Sequence, residues 1–198
     1  MKIIILGGFL GSGKTTVLLG MIDRVLRFGE TDPSKVVIIE NEIGEIGVDD
    51  KLLRSKGYDV RGMYSGCICC SMSDDIVVTV KEIAAGLSPE FIFIESSGVG
   101  YPHNIKDVIK EKLGFDSVVC AVADASRWER LLFALEDMLR EQLKKSDFVL
   151  VNKTDLSDAE SLAQIDGSVR EMAEGAEVFH ISASASDFGG ALERVLGI

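Results

Sequence analysis

Residues 3–18, which read IIILGGFLGSGKTTVL, decide the fold of this chain. A short apolar run enters a glycine-rich turn, and the turn leads into a helical pattern that begins near Lys14. Gly8, Gly13, Lys14 and Thr15 fit the spacing G-x-x-x-x-G-K-[ST]. Glycines in such a loop let backbone N–H groups point at phosphate oxygens, and the helix N-terminus adds partial positive charge. We therefore predict a nucleotide phosphate site, in which Lys14 reaches the β- and γ-phosphates and the Thr15 hydroxyl ligates Mg²⁺.

The composition is that of one globular domain. The chain has 198 residues, 46% of them hydrophobic, and its mean hydropathy is +0.22. A chain of this length and composition can bury a sizeable core. No run approaches the ~18 consecutive apolar residues of a transmembrane helix. The N-terminus leads directly into the phosphate loop instead of forming a signal-peptide pattern. We therefore expect a cytoplasmic protein that does not bind membranes.

Acidic residues outnumber basic residues, 32 to 21, which gives a formal charge of −11. Such a surface repels nucleic acid and anionic membranes, so neither is expected as the main partner. The acidic balance suits a protein that handles cations, although a solvated acidic surface is the more usual explanation.

Apolar runs alternate with amphipathic helical patterns along the whole chain. This alternation predicts a single α/β domain over residues 1–198, with a mostly parallel central sheet and helices on both faces. The expected strands cover residues 2–6, 36–40, 59–64, 91–95, 117–123, 148–151 and 177–181. The expected helices cover residues 14–28, 50–55, 73–85, 104–113, 127–144, 157–173 and 187–196. Each segment with candidate chemistry follows the carboxyl end of a strand, where open α/β sheets bind ligands.

The sequence Asn152-Lys153-Thr154-Asp155 resembles the guanine-reading motif of GTPases. The Asp155 carboxylate can accept from N1–H and the exocyclic amine of guanine, whereas adenine lacks donors in that arrangement. The Lys153 stem can cover the base or brace the phosphate loop. Ser182 and Ala183 follow the last strand and resemble the backbone contact to guanine O6. The pattern favours GTP and GDP as ligands, and the alternative is a polar turn after a strand.

Glu95-Ser96-Ser97-Gly98 follows a strongly apolar strand. An acid at this place can hold Mg²⁺ or its water, and the Gly98 N–H can reach the γ-phosphate. A strand-end acid that merely caps a loop is the alternative. Most small GTPases carry aspartate where this chain has Glu95, so the type of GTPase is unusual.

Three of the four cysteines lie within four residues, at Cys67, Cys69 and Cys70. Cys67 and Cys69 share one side of an extended segment, and a turn would bring the sulfur of Cys70 to the same centre. Three thiolates satisfy most of a tetrahedral site for a thiophilic metal, with the fourth ligand from Glu, His, water or a partner. The alternatives are three buried apolar cysteines or a disulfide pair. Cys120, inside an apolar run, is expected in the core.

Five segments, in this order, resemble the CobW family of P-loop GTPases: GGFLGSGKTT, ENEIGEIGVDD, GCICC, ESSG and NKTD. This family is related to the nickel-insertion GTPases of urease and hydrogenase maturation. The resemblance implies a P-loop NTPase fold and GTP hydrolysis, and we expect the turnover to be slow, as in GTPases without a supplied arginine. It also implies that hydrolysis is coupled to delivery of Zn²⁺ or Co²⁺ to a client protein or cofactor-synthesis enzyme.

The resemblance also assigns roles to individual residues. Phosphate contacts are implied at Gly8, Gly11, Ser12, Gly13, Lys14, Thr15 and Thr16. Metal contacts are implied at Cys67, Cys69 and Cys70, with Glu40, Glu42 and Glu45 binding that metal or Mg²⁺. Base reading is implied at Asn152, Lys153 and Asp155.

The chain departs from the family pattern in two ways. The family commonly has a C-terminal domain, often with a His-rich stretch, and this chain is expected to consist of the GTPase domain alone. After ESSG it also has Val99-Gly100-Tyr101-Pro102-His103. His103 is expected to be an exposed residue at a helix start, with a γ-phosphate sensor or metal ligand as the alternative. His180, the other histidine, is expected to be structural within a strand.

Two other functions remain open from the sequence. One is a nucleotide-dependent activator of a corrinoid or redox enzyme, in which the cysteines respond to thiol oxidation. The other is a small-molecule kinase, although the chain has no recognisable arginine-rich lid. A homodimer that shares metal at the cysteine face is compatible with the metal-binding interpretation.

Overall fold

The computed structural model describes residues 1–28, 31–40, 59–62, 72–184 and 188–198. Within these ranges, seven parallel strands form one sheet. The strands are β1 (Lys2–Gly7), β2 (Val36–Glu40), β3 (Asp59–Gly62), β4 (Phe91–Glu95), β5 (Ser117–Asp124), β6 (Phe148–Asn152) and β7 (Glu177–His180). The helices are α1 (Lys14–Arg27), α2 (Met72–Leu87), α3 (Pro102–Leu113), α4 (Trp128–Leu143), α5 (Ala159–Met172) and α6 (Gly189–Leu196).

The strand order is β3-β2-β4-β1-β5-β6-β7, with β1 in the centre. The chain leaves β1 toward one edge, returns through β4, and then builds the other edge from β5 to β7. The direction of winding therefore reverses beside β1, and open α/β sheets bind ligands at the carboxyl ends of strands at such a point. The phosphate loop begins at the carboxyl end of β1, directly at this reversal.

The core lies on both faces of the sheet. Side chains alternate along β1, so that Ile4 and Leu6 pack against α1 and α6 while Ile3 and Ile5 pack against α2 and α3. The same second face continues under α4 and α5, where Trp128 is almost fully buried. Because both faces are covered, the inner strands β1, β2, β4, β5 and β6 are largely apolar runs, and this pattern made them recognisable in the sequence.

The observed elements confirm the α/β class and most expected boundaries. Helix α3 begins two residues earlier than expected because Pro102 occupies its first turn, where proline is tolerated. Helix α5 begins after Asp158, whose carboxylate accepts from the Ser161 N–H at 2.8 Å and so caps the helix. The helix expected at residues 50–55 lies outside the described residues. None of the described helices is long and apolar enough to cross a bilayer.

Candidate nucleotide site

The phosphate loop connects β1 to α1 and requires its glycines. Gly8, Gly11 and Gly13 have φ values of +134°, +74° and +99°, a region that side chains with a Cβ rarely adopt. A Cβ at Gly8 would collide with the Val122 carbonyl oxygen, and one at Gly13 would collide with the Asn152 amide. The loop therefore keeps its shape only if these positions stay glycine.

The loop has features that suit an anion. Lys14 is buried at the first position of α1, with its Nζ 3.4 Å from the Phe9 carbonyl oxygen. The Ser12 hydroxyl is buried and has no hydrogen-bond partner among the described residues. Thr16 lies exposed in the first turn of α1, where backbone N–H groups are available to a ligand. A phosphate placed here would meet a cation, a helix N-terminus and a buried hydroxyl.

The expected Mg²⁺ ligands come together from different strands. The Thr15 hydroxyl donates to Glu95 Oε1 at 3.1 Å, which joins the start of α1 to the carboxyl end of β4. Glu95 is 5% exposed. Glu40 ends the neighbouring strand β2 and stands in register with Glu95. Hydroxyl and carboxylate oxygens are the ligands that Mg²⁺ prefers, so Thr15, Glu95 and Glu40 fit such an ion.

Gly98, which is predicted to contact the γ-phosphate, lies against the phosphate loop. A Cβ at Gly98 would approach the Leu10 backbone nitrogen to 2.8 Å, so the two backbones are in direct contact. The Gly98 carbonyl accepts from Gln142 Nε2 at 2.8 Å. Gln142, near the end of α4, was not identified from the sequence; it is 1% exposed.

Asn152 joins the phosphate loop to the base-reading segments. Its Nδ2 donates to the Ser12 carbonyl at 2.8 Å, while its Oδ1 accepts from the N–H groups of Lys153 and Ala183 at 2.8 and 2.9 Å. The side chain is buried. Asn152 therefore contacts three segments of the protein itself, and it positions the residues expected to read the base.

The two expected roles, reading the base and bracing the phosphate loop, belong to different residues, Asp155 and Lys153. Asp155 is exposed, and its Oδ1 accepts from the Ser182 hydroxyl at 2.6 Å. Lys153 Nζ donates to the Gly11 carbonyl at 2.7 Å, so this lysine braces the phosphate loop. The carboxylate of Asp155 is thus placed next to the segment Ser182–Ala183, as the guanine-reading interpretation expects.

A family model described as CobW/HypB/UreG, nucleotide-binding domain, matches residues 2–180. The chain belongs to this family. The expected P-loop GTPase class is thereby confirmed at the level of the family.

Curated relatives agree with this assignment. The chain is 28% identical over 217 residues to a zinc-regulated GTPase metalloprotein activator 1 of Dictyostelium discoideum, covering 87% of this chain and 44% of that protein. It is 30% identical over 159 residues to the zinc chaperone YeiR of Escherichia coli strain K12, covering 78% of this chain and 47% of that protein. The chain spans about half the length of these curated relatives.

A crystal structure of the hydrogenase maturation factor HypB from Archaeoglobus fulgidus has the same fold. The TM-score is 0.69 at 15% identity, and the superposition covers 100% of this chain and 89% of that one. At this level of identity the likeness supports the fold alone.

Asp124 and Arg127 adjoin the phosphate loop but were missed in the sequence, where Asp124 looked like an ordinary strand end. Asp124, at the end of β5, accepts from Ser126, from Arg127 Nε at 2.7 Å and from Lys153 Nζ at 2.8 Å. Burial alone would raise the pKa of Asp124, but the hydrogen bonds from Lys153, Ser126 and Arg127 outweigh it and lower the pKa. Asp124 therefore remains a carboxylate at neutral pH.

The expectation for His103 is wrong. His103 is 5% exposed at the start of α3, its Nδ1 lies 3.0 Å from the Glu141 carbonyl oxygen, and its ring stacks on Tyr101. Proline at the preceding position starts α3 early and turns this histidine toward α4. His180 lies in β7 as expected, with its Nε2 2.7 Å from Asp166.

Five of the predicted metal ligands lie where the structure gives no description. Cys67, Cys69, Cys70, Glu42 and Glu45 lie outside the described residues. Within the described ranges, no group of three His, Cys, Asp or Glu side chains could hold a metal ion. Cys120 is buried in the core as expected, and burial raises the pKa of its thiol, so it stays protonated.

Proposed function

We propose that this domain binds and hydrolyses GTP and couples its nucleotide state to the binding of Zn²⁺ or Co²⁺ for delivery to a client protein. One observation carries the nucleotide half of the proposal. Glu95, Asp124 and Asn152 lie at the carboxyl ends of β4, β5 and β6, around the phosphate loop. Glu95 accepts from the Thr15 hydroxyl, and the exposed Asp155 carboxylate lies shortly after Asn152, which supports a magnesium ligand and a base reader at this site.

Guanine is favoured by the position of Asp155. An exposed carboxylate supported by the Ser182 hydroxyl offers two acceptor oxygens, which match the N1–H and amine donors of guanine. The Ala183 N–H is held by Asn152 in the neighbouring segment. An adenine in the same place would leave the carboxylate without its donors.

Thr15, Glu95 and Glu40 would hold Mg²⁺. The ion would neutralise charge that develops on the phosphates during hydrolysis. Lys14 would bind the β- and γ-phosphates, and the Gly98 N–H would contact the γ-phosphate. Hydrolysis should be slow without an added arginine, on the order of 10⁻⁴ to 10⁻² s⁻¹.

The metal half of the proposal rests on three thiols and on where their segment enters the fold. The segments 41–58 and 63–71 follow β2 and β3, which lie on the Glu95 side of the sheet. A change at the γ-phosphate can thus be passed to both segments through the strand ends. Relatives named zinc chaperones support zinc as the cargo, and thiolates at Cys67, Cys69 and Cys70 suit it.

Metal and nucleotide titrations test the proposal together. Reduced protein with Mg²⁺ and either GDP or a non-hydrolysable GTP analogue is titrated with Zn²⁺ against a chelator of known affinity. We expect one-to-one binding that is tighter with the analogue, because coupling between two ligands must be reciprocal. Cys69→Ala should abolish this binding.

Cys120→Ala is the matched control, since it removes a thiol that is buried in the core and leaves the motif intact. Equal zinc affinity with both nucleotides would rule out the switch. Zinc binding that survives in Cys69→Ala would rule out the motif as the metal site. If thiol oxidation rather than zinc controls turnover, the redox-activator function replaces the proposal.

A further inference from the structure

We propose that Arg127, oriented by Asp124, is a positioning residue that fixes one peptide of the phosphate loop and thereby sets nucleotide affinity. This inference rests on the proposed guanine nucleotide binding. The role concerns the Leu10–Gly11 peptide, whose orientation decides where the Gly11 N–H points.

The phosphate loop contains a tight turn between Phe9 and Ser12. The Ser12 N–H donates to the Phe9 carbonyl at 3.1 Å, so Leu10 and Gly11 are the two central residues of the turn. Gly11 has a φ of +74°, the sign that a type II turn requires at its third position. Type I and type II turns differ in the direction of the central peptide, so a small contact can decide between them.

Arg127 makes that contact. Its guanidinium donates through Nε to Asp124 Oδ2 and through Nη2 to the Leu10 carbonyl oxygen, both at 2.7 Å. In a trans peptide the N–H points opposite to the C=O, and the chain contains no cis peptide among its described residues. Holding the Leu10 carbonyl therefore directs the Gly11 N–H away from Arg127, toward the opposite side of the loop.

Lys153 holds the next carbonyl in the same way. Its Nζ donates to the Gly11 carbonyl at 2.7 Å and to Asp124 at 2.8 Å. Two successive carbonyls are thus each held by a cation, and both cations share one fully buried carboxylate. A cation that is already neutralised and oriented costs little to keep in place, so the loop can be shaped before a nucleotide arrives.

The arginine is needed for its shape as well as its charge. A guanidinium presents several donors in a rigid plane, so one side chain can bridge an acceptor on β5 and another on the phosphate loop. The Arg127 side chain is 40% exposed and lines a cavity of about 320 Å³. Arg130 lines the same cavity and carries the same charge, which makes it a matched control.

The first test is the affinity for a fluorescent GDP and for a fluorescent GTP analogue. Arg127→Ala should weaken both about tenfold, as expected for one partly exposed charge-assisted hydrogen bond. The KM for GTP should rise by the same factor while kcat changes less than about twofold, because equal loss of ground-state and transition-state binding leaves kcat unchanged. Arg130→Ala should leave every constant within about twofold.

Chemical rescue separates positioning from general damage. Methylguanidinium at low millimolar concentration should restore the affinity of Arg127→Ala, because it can reoccupy the space beside the cavity with the same planar donors. Methylammonium should fail to do so. If neither additive restores affinity, or if Arg127→Ala and Arg130→Ala behave alike, the proposal is overturned.

The nucleotide-free protein gives a test that does not depend on GTP binding. In Arg127→Ala the ¹⁵N–¹H signal of Gly11 should shift and broaden as its peptide exchanges between two orientations, while Arg130→Ala leaves it unchanged. An unaltered Gly11 signal in Arg127→Ala overturns the inference. Wild-type protein that binds no guanine nucleotide would overturn the proposed function instead, and the Gly11 signal would still decide whether Arg127 positions the Leu10–Gly11 peptide.

Discussion

The phosphate loop is held differently on its two sides. On the side of β5 and β6, Asn152, Lys153 and Arg127 donate to the carbonyls of three consecutive loop residues, 10–12, at 2.7 to 2.8 Å. On the side of β4, the contacts include a 3.1 Å hydrogen bond from Thr15 to Glu95 and the packing of Gly98 against Leu10. We call these the base side and the sensor side.

This difference explains how one loop can both bind a nucleotide and respond to its phosphate state. Short hydrogen bonds from buried or charge-paired donors fix the base side before any ligand arrives. On the sensor side, a hydroxyl and a glycine backbone are the groups that Mg²⁺ and a γ-phosphate would contact, so a ligand can reorganise them. Affinity should depend on the first side, and the response to GTP on the second.

The largest effect is expected from Asn152→Ala on the base side. The change leaves the Ser12 carbonyl and two N–H groups without their buried partner. Unsatisfied buried polar groups should lower the free energy of unfolding by about 2 to 4 kcal/mol, measured by urea denaturation of the nucleotide-free protein. The affinity for GDP should fall roughly a hundredfold, since the loop and the base reader lose their shared anchor.

Thr154→Ala is the control for that experiment. Thr154 Oγ1 donates to the Ile181 carbonyl at 3.0 Å in a neighbouring, partly exposed position. It should cost about 1 kcal/mol or less. If both variants lose the same stability, Asn152 is not the anchor of the base side.

Gln142→Leu should disturb the sensor side, with a smaller effect than Asn152→Ala has on the base side. It removes the donor to the Gly98 carbonyl, while Gln142 Oε1, which has no partner among the described residues, is replaced by an apolar group. Stability should therefore change little. GTP hydrolysis at saturation should slow about fivefold to tenfold because Gly98 is less well positioned, and the affinity for GDP should stay within about twofold.

Gln164→Leu, the same substitution at an exposed position of α5, should change neither the rate of GTP hydrolysis nor the affinity for GDP. Single-turnover hydrolysis and GDP affinity are the two measurements. A loss of GDP affinity in Gln142→Leu that matches its loss of rate would mean that the two sides are not separate.

The sequence predicted the fold well because its signals are local. Each buried strand is a continuous apolar run, and residues 3–18 join strand, loop and helix without interruption. The glycines of that loop were also predictable, since their positive φ values follow from the motif. These features depend on neighbours along the chain, which a reader of the sequence can see.

The connections within the site were less predictable because they join distant residues. Asn152 was expected to read the base, yet its amide contacts Ser12, which lies 140 positions earlier. Asp124 carries no motif, and its importance arises only when β5 places it between Lys153 and Arg127. The cysteine motif remains a prediction, since it lies outside the described residues.

Low pH should weaken the base-side contacts by protonating Asp124. This is the smallest of the expected effects. The pKa of Asp124 is lowered in the folded protein, so its contribution to stability is full above the unfolded value of 3.8. That contribution is lost as the pH falls below 3.8 through the folded pKa, because the carboxylate then gains a proton and its ion pairs with Lys153 and Arg127 are lost. Asp124→Asn should therefore flatten the dependence of the free energy of unfolding on pH below about pH 4.

Asp116→Asn distinguishes this contact from general acid sensitivity. Hydrogen bonding from Lys110 also lowers the pKa of Asp116, but this side chain is 92% exposed and its ion pair is screened by solvent. Urea denaturation at several pH values should show the wild-type slope in Asp116→Asn and a reduced slope in Asp124→Asn. Equal slopes in both variants would mean that Asp124 does not hold the base side by its charge, and that the hydrogen bonds to Ser12 and Gly11 maintain the loop alone.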